Sequence, residues 1–528
     1  MLNSKSIQGI IVLILGLFLS IWLGLSIVTN QTETILQIIA AAAFIICLAL
    51  GKKIWLLVPF MASLSIGLRI PGQPDSLLLG QILFIGFTIP QFLMRKLPYQ
   101  LAWTELEYWF IVLTLVISQV YMRNPVGLNL FGGDVVGGKP YILFIISLLS
   151  SLLLVGLKVP PSDLKWILRL SILGGLMNQM NSILGRISPT FGYYTGSNYA
   201  RTDEVNYENF GKAVDAGAAT RDGTLTLLGT NLSLWICSFR SPLKACLHPL
   251  WGSLILLSIT AATLSGYRNA VVMLSLSYFV GLCYRGGLGS IMFSSVGGIL
   301  IITLLAIVNT ITPLPPNIQR SLSFLPGTWE KRYVLDGENS SEWRLEMWKE
   351  VLMTDRWIQN KWLGDGLGLT ARELQYALSQ KESKSVAKGM SGFDAQREGM
   401  LANGNYHSGP VQTIRVVGYI GLAIMLLFQI RLAMHAHRQI QRCRGTEWFP
   451  LALLIGIPLI WNPVFFVFVF GEFKTAASTL LLGASMIRLL QNNLPLPAIR
   501  KQERNLNPLL TGVSPSSTKL GLVSGRSV

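Results

Sequence analysis

Charge is what this sequence has least of: only 13% of its 528 residues are Asp, Glu, Lys or Arg. Soluble domains carry roughly a quarter charged residues, so the chain is short of material for a water-facing surface. Metal-ligand patterns are missing as well. His407 has no histidine nearby, and Asp203, Glu204, Asp215, Asp222, Asp336 and Asp365 show no ligand spacing. Ser265 and Ser408 lack the setting of a nucleophile elbow. Cysteines number five, and Cys47, Cys237, Cys246, Cys283 and Cys443 all fall at or near one expected side of a membrane, so no disulfide framework is needed.

What is present is apolar, in blocks. The hydrophobic fraction is 51% and the mean hydropathy +0.50. Ile7–Val28, Ile35–Leu50, Leu77–Leu93, Tyr141–Leu157, Ser290–Ile311 and Phe449–Phe470 are near-continuous apolar runs. Runs of about 20 apolar residues match the hydrocarbon thickness of a bilayer. The first run follows a single Lys5 with no small-residue cleavage site after it, and it reads as a retained span. Taken together, the runs predict an all-α polytopic membrane protein with about fourteen transmembrane helices.

The formal net charge of +17 raises nucleic acid as a partner, but the placement of the charge excludes it. Basic residues alternate between loops: Lys52 and Lys53; Arg95 and Lys96; Lys158 and Lys165; Arg240 and Lys244; Arg285; Arg431, Arg438, Arg442 and Arg444; then Arg500, Lys501 and Arg504. The intervening loops, such as Thr29–Thr34, carry almost none. Short basic loops stay in the cytoplasm, which predicts that both termini are cytoplasmic.

The expected organisation is an N-terminal bundle over residues 1–311, a large exported loop at 312–409, C-terminal spans at 410–490 and a disordered cytoplasmic tail at 491–528. Within the bundle, exported loops are expected at 122–139, where NLFGGDVVGGK reads as a flexible turn, and at 186–223, with Tyr193, Tyr194, Tyr199 and Tyr207. The 312–409 loop opens on Pro313, Pro315 and Pro316. In SSEWRLEMWKEVLM, Trp343, Met347 and Val351 share a helical face beside Leu352. A second amphipathic piece covers Thr370–Ser379, and Gln380–Arg397 is polar without periodicity. Trp329, Trp343, Trp348, Trp357 and Trp362 suggest helices lying at the membrane interface.

Four residues on the exported side suit chemistry. His435 and His437 sit among arginines in a solvated basic patch, and His248 is in a cytoplasmic loop, whereas His407 lies three residues before Pro410. Proline favours the first helical turn, so His407 is expected at a helix N-terminus, where the dipole disfavours imidazolium and attracts anions. A neutral imidazole beside an anion is the setting of a general base. Arg268 lies in the tight turn of TLSGYRNAVVML, Arg221 at the mouth of a span in ATRDGTLTLL, and Arg344 on the amphipathic loop helix. Guanidiniums bind phosphate oxygens in a two-pronged fashion.

This arrangement resembles the O-antigen ligase and O-antigen polymerase superfamily. The residues that carry the resemblance are SGYR at Ser265–Arg268, R-x-G at Arg221–Gly223, W-R-x-x-x-W at Trp343–Trp348 and L-G-D-G-L-G at Leu363–Gly368. His407 then precedes Gly418 and GYIGL by eleven residues. The match covers mainly residues 185–430; Ser408 stands where the family has Asn after the His, and Trp362 where a Pro precedes the L-G-x-G run. The resemblance implies a multi-pass protein of the bacterial inner membrane whose large loop is periplasmic, and glycosyl transfer without a metal or other cofactor. The implied donor is a glycan on undecaprenyl pyrophosphate; the acceptor is lipid A-core, a growing polysaccharide or a protein hydroxyl. It assigns the pyrophosphate to Arg221 and Arg268 and catalysis to His407 with Arg344 assisting. The competing expectation is a transporter or flippase for lipid-linked or anionic solutes, which needs no base.

Overall fold

Apolar runs with polar, Pro or Gly boundaries give long helices. In a computed structural model of the chain, residues 44–68, 74–127, 137–188, 221–368 and 404–495 are described, with Gln37, Gly192, Thr195, Gln375, Met400 and Leu401. The main helices are α1 (Phe44–Leu64), α2 (Ser76–Leu93), α3 (Glu105–Arg123), α4 (Lys139–Gly156), α5 (Pro161–Ile187), α6 (Gly223–Phe239) and α7 (Pro249–Leu264). They continue with α8 (Arg268–Arg285), α9 (Gly287–Ile311), α10 (Lys331–Met353), α11 (Gly409–Cys443), α12 (Phe449–Phe468) and α13 (Phe473–Asn493). No strand occurs among the described residues; Gly67–Asp75 and Tyr99–Leu157 make isolated bridges.

The protein is an all-α membrane protein, and the described residues account for part of the expected fourteen spans. Among the described residues, eight helices are long and apolar enough to cross a bilayer: α1, α2, α3, α4, α9, α11, α12 and α13. The expected span at Ile7–Val28 lies outside the described residues, as do Tyr193, Tyr194, Tyr199, Tyr207, nearly all of 370–397 and the tail from residue 496. The block Ile35–Leu50 does not end at a Lys52–Lys53 loop. The helical path bends at Gly51, whose φ of 47° suits a residue without Cβ. It then runs through a 3-10 stretch, Gly51–Leu56, that buries Ile54, Trp55 and Leu56.

Helix ends collect on two faces. On the basic-loop face, acidic and basic residues meet. Lys53 Nζ lies 2.8 Å from Asp163 and Lys165 Nζ 2.8 Å from Glu447. Arg488 Nε donates to Glu107 at 2.6 Å with both side chains buried, and Glu107 also accepts the Thr104 N–H at 2.6 Å in the capping box of α3. Arg431 pairs with Glu105, which His435 Nε2 also reaches at 3.1 Å. Tyr284 Oη is 2.6 Å from His437 Nδ1. His435 and His437, expected in a solvated patch, are therefore packed against partners from α3 and α8.

The opposite face carries the 312–409 insert. Its helix α10 supplies Met347 and Val351 to a cluster with Ile358, Leu401, Tyr406, Val411 and Ile414, and Trp343, Trp348, Leu352 and Trp357 pack against it. Three tryptophans expected at a membrane interface thus hold the insert onto the start of α11, because their indoles find a protein cleft that excludes water. Trp348 Nε1 completes this by donating to the Tyr406 carbonyl at 2.7 Å.

One helix is broken to receive the insert. Gly418, inside α11, has φ 72° and ψ −177°. The break frees backbone groups that the L-G-D-G-L-G loop takes up. The N–H groups of Asp365 and Gly366 donate to the Arg415 and Val416 carbonyls at 2.6 and 3.0 Å, and the Tyr419 N–H donates to the Lys361 carbonyl at 2.8 Å. A Cβ on Gly418 would stand 2.1 Å from the Trp362 carbonyl oxygen, so the loop docks only because no side chain is there. Broken membrane helices persist where neighbouring groups re-satisfy the backbone.

Candidate active site

The segment that carries His407 is shaped from both sides. Tyr406 is fully buried in the insert cluster. Ser408 then caps α11, its Oγ accepting the Val411 N–H at 3.4 Å. Between these two anchors His407 takes φ 50°, a left-handed conformation rare outside Gly and several-fold enriched in Asn, Asp and His. Its ring is flanked by Trp343, with centroids 6.2 Å apart, and by Phe470 at 6.0 Å.

Burial, with the Arg344 and Arg221 guanidiniums nearby, pulls His407 down to about 4. The imidazole is neutral at pH 7, as the sequence suggested, but for another reason. The helix dipole was the expected cause; in the fold, burial and two cations supply it. They place Arg344 and Arg221 in electrostatic reach of the ring, which joins α10 with the segments that lead into α6 and α11 in one site.

Arg344 is half-buried on α10, and burial lowers its pKa. Its Nε is enclosed and has no hydrogen-bond partner among the described residues. Arginine does not give up its proton in proteins, so the insert holds a partly desolvated cation beside a neutral imidazole. Such a charge is costly without a counter-ion, and an anionic ligand would relieve it.

Arg221 is exposed and lies over the Tyr267 ring at 5.9 Å, a cation–π arrangement. The next residue explains its placement. Asp222 caps α6, accepting the Thr224 N–H at 2.8 Å, and its own N–H donates to the Ser265 carbonyl at 2.8 Å. Arg186 pairs with the same carboxylate. The R-x-G segment is thereby stitched to the SGYR turn.

Arg268 points to different work. Its Nη2 donates to Ser323 Oγ at 2.7 Å and to the Tyr333 carbonyl at 3.2 Å. In return, buried Arg320 donates from Nη1 to the Gly266 carbonyl at 3.3 Å. Arg268 and Arg320 thus lace the SGYR turn to the short helix Pro316–Leu322 and the start of α10. The structure gathers His407, Arg344 and Arg221, and puts Arg268 one residue beyond Tyr267, engaged with the insert backbone.

No group of three or more His, Cys, Asp or Glu side chains suited to a metal occurs among the described residues. No protein-family model matches the sequence, and no curated protein matches it. Function must therefore be argued from the site itself. The sequence reading missed Tyr267 as the seat of Arg221, and Arg320 and Phe470 altogether. Asp222 was legible, since Asp directly before a Gly-Thr helix start is an N-cap signal.

Proposed function

We propose that this protein transfers a glycan from an undecaprenyl-pyrophosphate-linked donor to an acceptor hydroxyl, on the periplasmic side of a bacterial inner membrane. This is the activity of the O-antigen ligases and polymerases that the sequence resembles. The observation that carries the reading is a neutral, half-buried imidazole set beside two guanidiniums at the insert face. In the reaction, the acceptor hydroxyl gives its proton to His407 while its oxygen bonds to the anomeric carbon. The bond from that carbon to the phosphate oxygen breaks, and its electron pair leaves with undecaprenyl pyrophosphate. Arg221 and Arg344 neutralise the departing charge, so the guanidiniums do what a metal would do elsewhere. Arg268 supports the donor site by fixing the turn that carries Tyr267.

A base held near 4 is weak, and the donor corrects this. Pyrophosphate bound between the arginines and His407 offsets their field, so the ring gains basicity only once the donor is in place. The acceptor is lipid A-core, a growing polysaccharide or a protein hydroxyl.

A transporter or flippase for lipid-linked or anionic solutes is the second reading, and the broken α11 favours it, since discontinuous helices often line transport sites. The break is, however, bonded to the insert through consecutive backbone groups, which suits a fixed scaffold better than a hinge. Reconstitution in proteoliposomes with lipid-linked glycan and acceptor tests both. We expect covalently glycosylated acceptor, lost in His407→Ala. Movement of lipid-linked glycan across the bilayer with no glycosylated product would sink the transferase reading.

A further inference from the structure

Beside His407, on the side of Phe470, the insert face opens into a cavity of about 690 Å³. Phe470 and Asn405 line it, and Asn405 lies two residues before His407. Lys139, Arg415 and Lys474 contribute cations to its wall, and Asp75 and Glu472 contribute acids. The acids are engaged at helix starts. Asp75 caps α2 by accepting the Leu78 N–H at 2.7 Å, and Glu472 accepts the Thr475 hydroxyl at 3.1 Å. Arg415 passes over Gly404, where a Cβ would stand 2.3 Å from its Nη1. Its guanidinium makes no hydrogen bond or ion pair among the described residues. The starts of α2, α4 and α13 all border this space, and helix starts favour negative charge.

The cavity continues downward between α2, α4 and α13 as a second chamber of about 150 Å³, sharing Asp75, Pro140 and Lys474 with the first. Gln81, Ser147 and Ser478 line it. Gln81 is 2% exposed; its oxygen accepts from Ser147 Oγ at 3.3 Å, while its amide nitrogen has no partner among the described residues. Buried amide donors are almost always satisfied, by protein or by water, and this one borders a chamber in which a ligand's acceptor atom could reach it. At roughly 30 Å³ per water, the lower chamber has the room of about five waters, the scale of one sugar ring. The mouth offers the Arg415 guanidinium, and the largely apolar lower chamber offers the Gln81 amide with the Ser147 and Ser478 hydroxyls; a saccharide that carries a carboxylate or phosphate fits both.

We infer that these chambers bind the terminal sugar of the acceptor, an anionic saccharide. Its acid group is held by Arg415, its ring hydroxyls by Gln81 and Ser147, and one hydroxyl is left facing His407. The acceptor role rests on the transferase reading; the saccharide site does not.

The test is binding of a soluble oligosaccharide ending in glucuronate, against one ending in glucose, to the full-length protein in nanodiscs. Wild type should bind the uronate probe at least about ten-fold tighter, as a charge-assisted contact implies. Arg415→Gln should abolish that preference, and Gln81→Leu should weaken both probes several-fold. Equal binding of the two probes by wild type, or indifference to both substitutions, would overturn the site. If either variant fails to fold, a photoreactive uronate probe on wild type decides: labelling within 137–147 or 472–479 is expected, and labelling elsewhere refutes it. Undecaprenyl pyrophosphate should not displace the probe; full displacement would move the sugar to the donor and defeat the acceptor assignment. Probe binding without glycan transfer would defeat the transferase reading and keep the saccharide site, whereas transfer without probe binding would do the reverse.

Discussion

The two faces of this protein use charge differently. On the basic-loop face, Arg488 meets Glu107, Arg431 meets Glu105, and Lys53 meets Asp163. Charge there joins helices to each other. On the insert face, Arg344 keeps a buried Nε that has no hydrogen-bond partner among the described residues, and Arg221 rests on an aromatic ring. His407 is held neutral between two rings. A cation paired inside the fold stabilises it and is closed to ligands. The insert face has pairs of its own, such as Arg186 with Asp222; what sets it apart is Arg344, a half-buried cation whose desolvation cost an anion can relieve.

The sharpest break of this contrast is at His407. His407→Ala should slow transfer by about 10²–10⁴-fold, the range for a positioned proton acceptor, with lipid-linked donor binding measured separately and unchanged. A Gln variant that transfers at the wild-type rate would reduce His407 to an orienting role. On the other face, Arg488→Met should destabilise the solubilised protein by about 3–5 kcal/mol, because Glu107 is left buried and uncompensated. Replacing both partners with apolar residues should recover much of that loss in thermal unfolding. If the single variant melts like wild type, buried pairing is not what holds the basic-loop face.

Arg344→Ala should reduce turnover about ten- to a hundred-fold, as expected for a charge-assisted contact of roughly 1.5–3 kcal/mol. It carries a second readout. Arg344 helps depress His407, so its removal should raise the acidic limb of kcat/KM toward the ordinary histidine value. The sign follows from the charge states: the ring is active when neutral, and activity falls as pH drops through its pKa. In wild type that limb, which reports the free protein, should lie near 4, and the limb of kcat should lie higher because bound pyrophosphate favours imidazolium. A wild-type kcat/KM limb already at the ordinary value would mean that burial and the two arginines do not act on His407. The smallest effect is expected at Lys165→Ala. Its pair with Glu447 is about half exposed on both sides, and such pairs are worth about 0–1 kcal/mol, so melting should scarcely move.

Parts of this were legible in the chain. The helical face of Trp343, Met347 and Val351 follows from spacing alone, and all three belong to one cluster. The turn Ser265–Arg268 and the helix start at Gly223 follow from Gly and Asp signals. Arg268 was not legible in its observed role, because a guanidinium in a turn looks the same whether it awaits a phosphate or holds a backbone carbonyl of the next element. The bend at Gly51 was hidden for a related reason: two lysines mark a loop by composition, yet one of them finds Asp163 and the helical path continues.

By itself, the sequence determined that this is a helical membrane protein, because too few charged residues and too many bilayer-length apolar runs leave a chain no other way to satisfy its backbone. It also nominated His407 and three arginines, since ionisable groups at the ends of apolar helices are few enough to single out. Tertiary structure alone decided their partners. It closed the Gly418 break with the 361–366 loop and set Arg344 and Arg221 beside one imidazole. It gathered Gln81, Arg415 and Phe470 around connected chambers from helices far apart in the chain. The reason is that a residue's type fixes its chemistry, while burial and the charge of its neighbours fix which form of that chemistry is present, and those neighbours are supplied only by the fold.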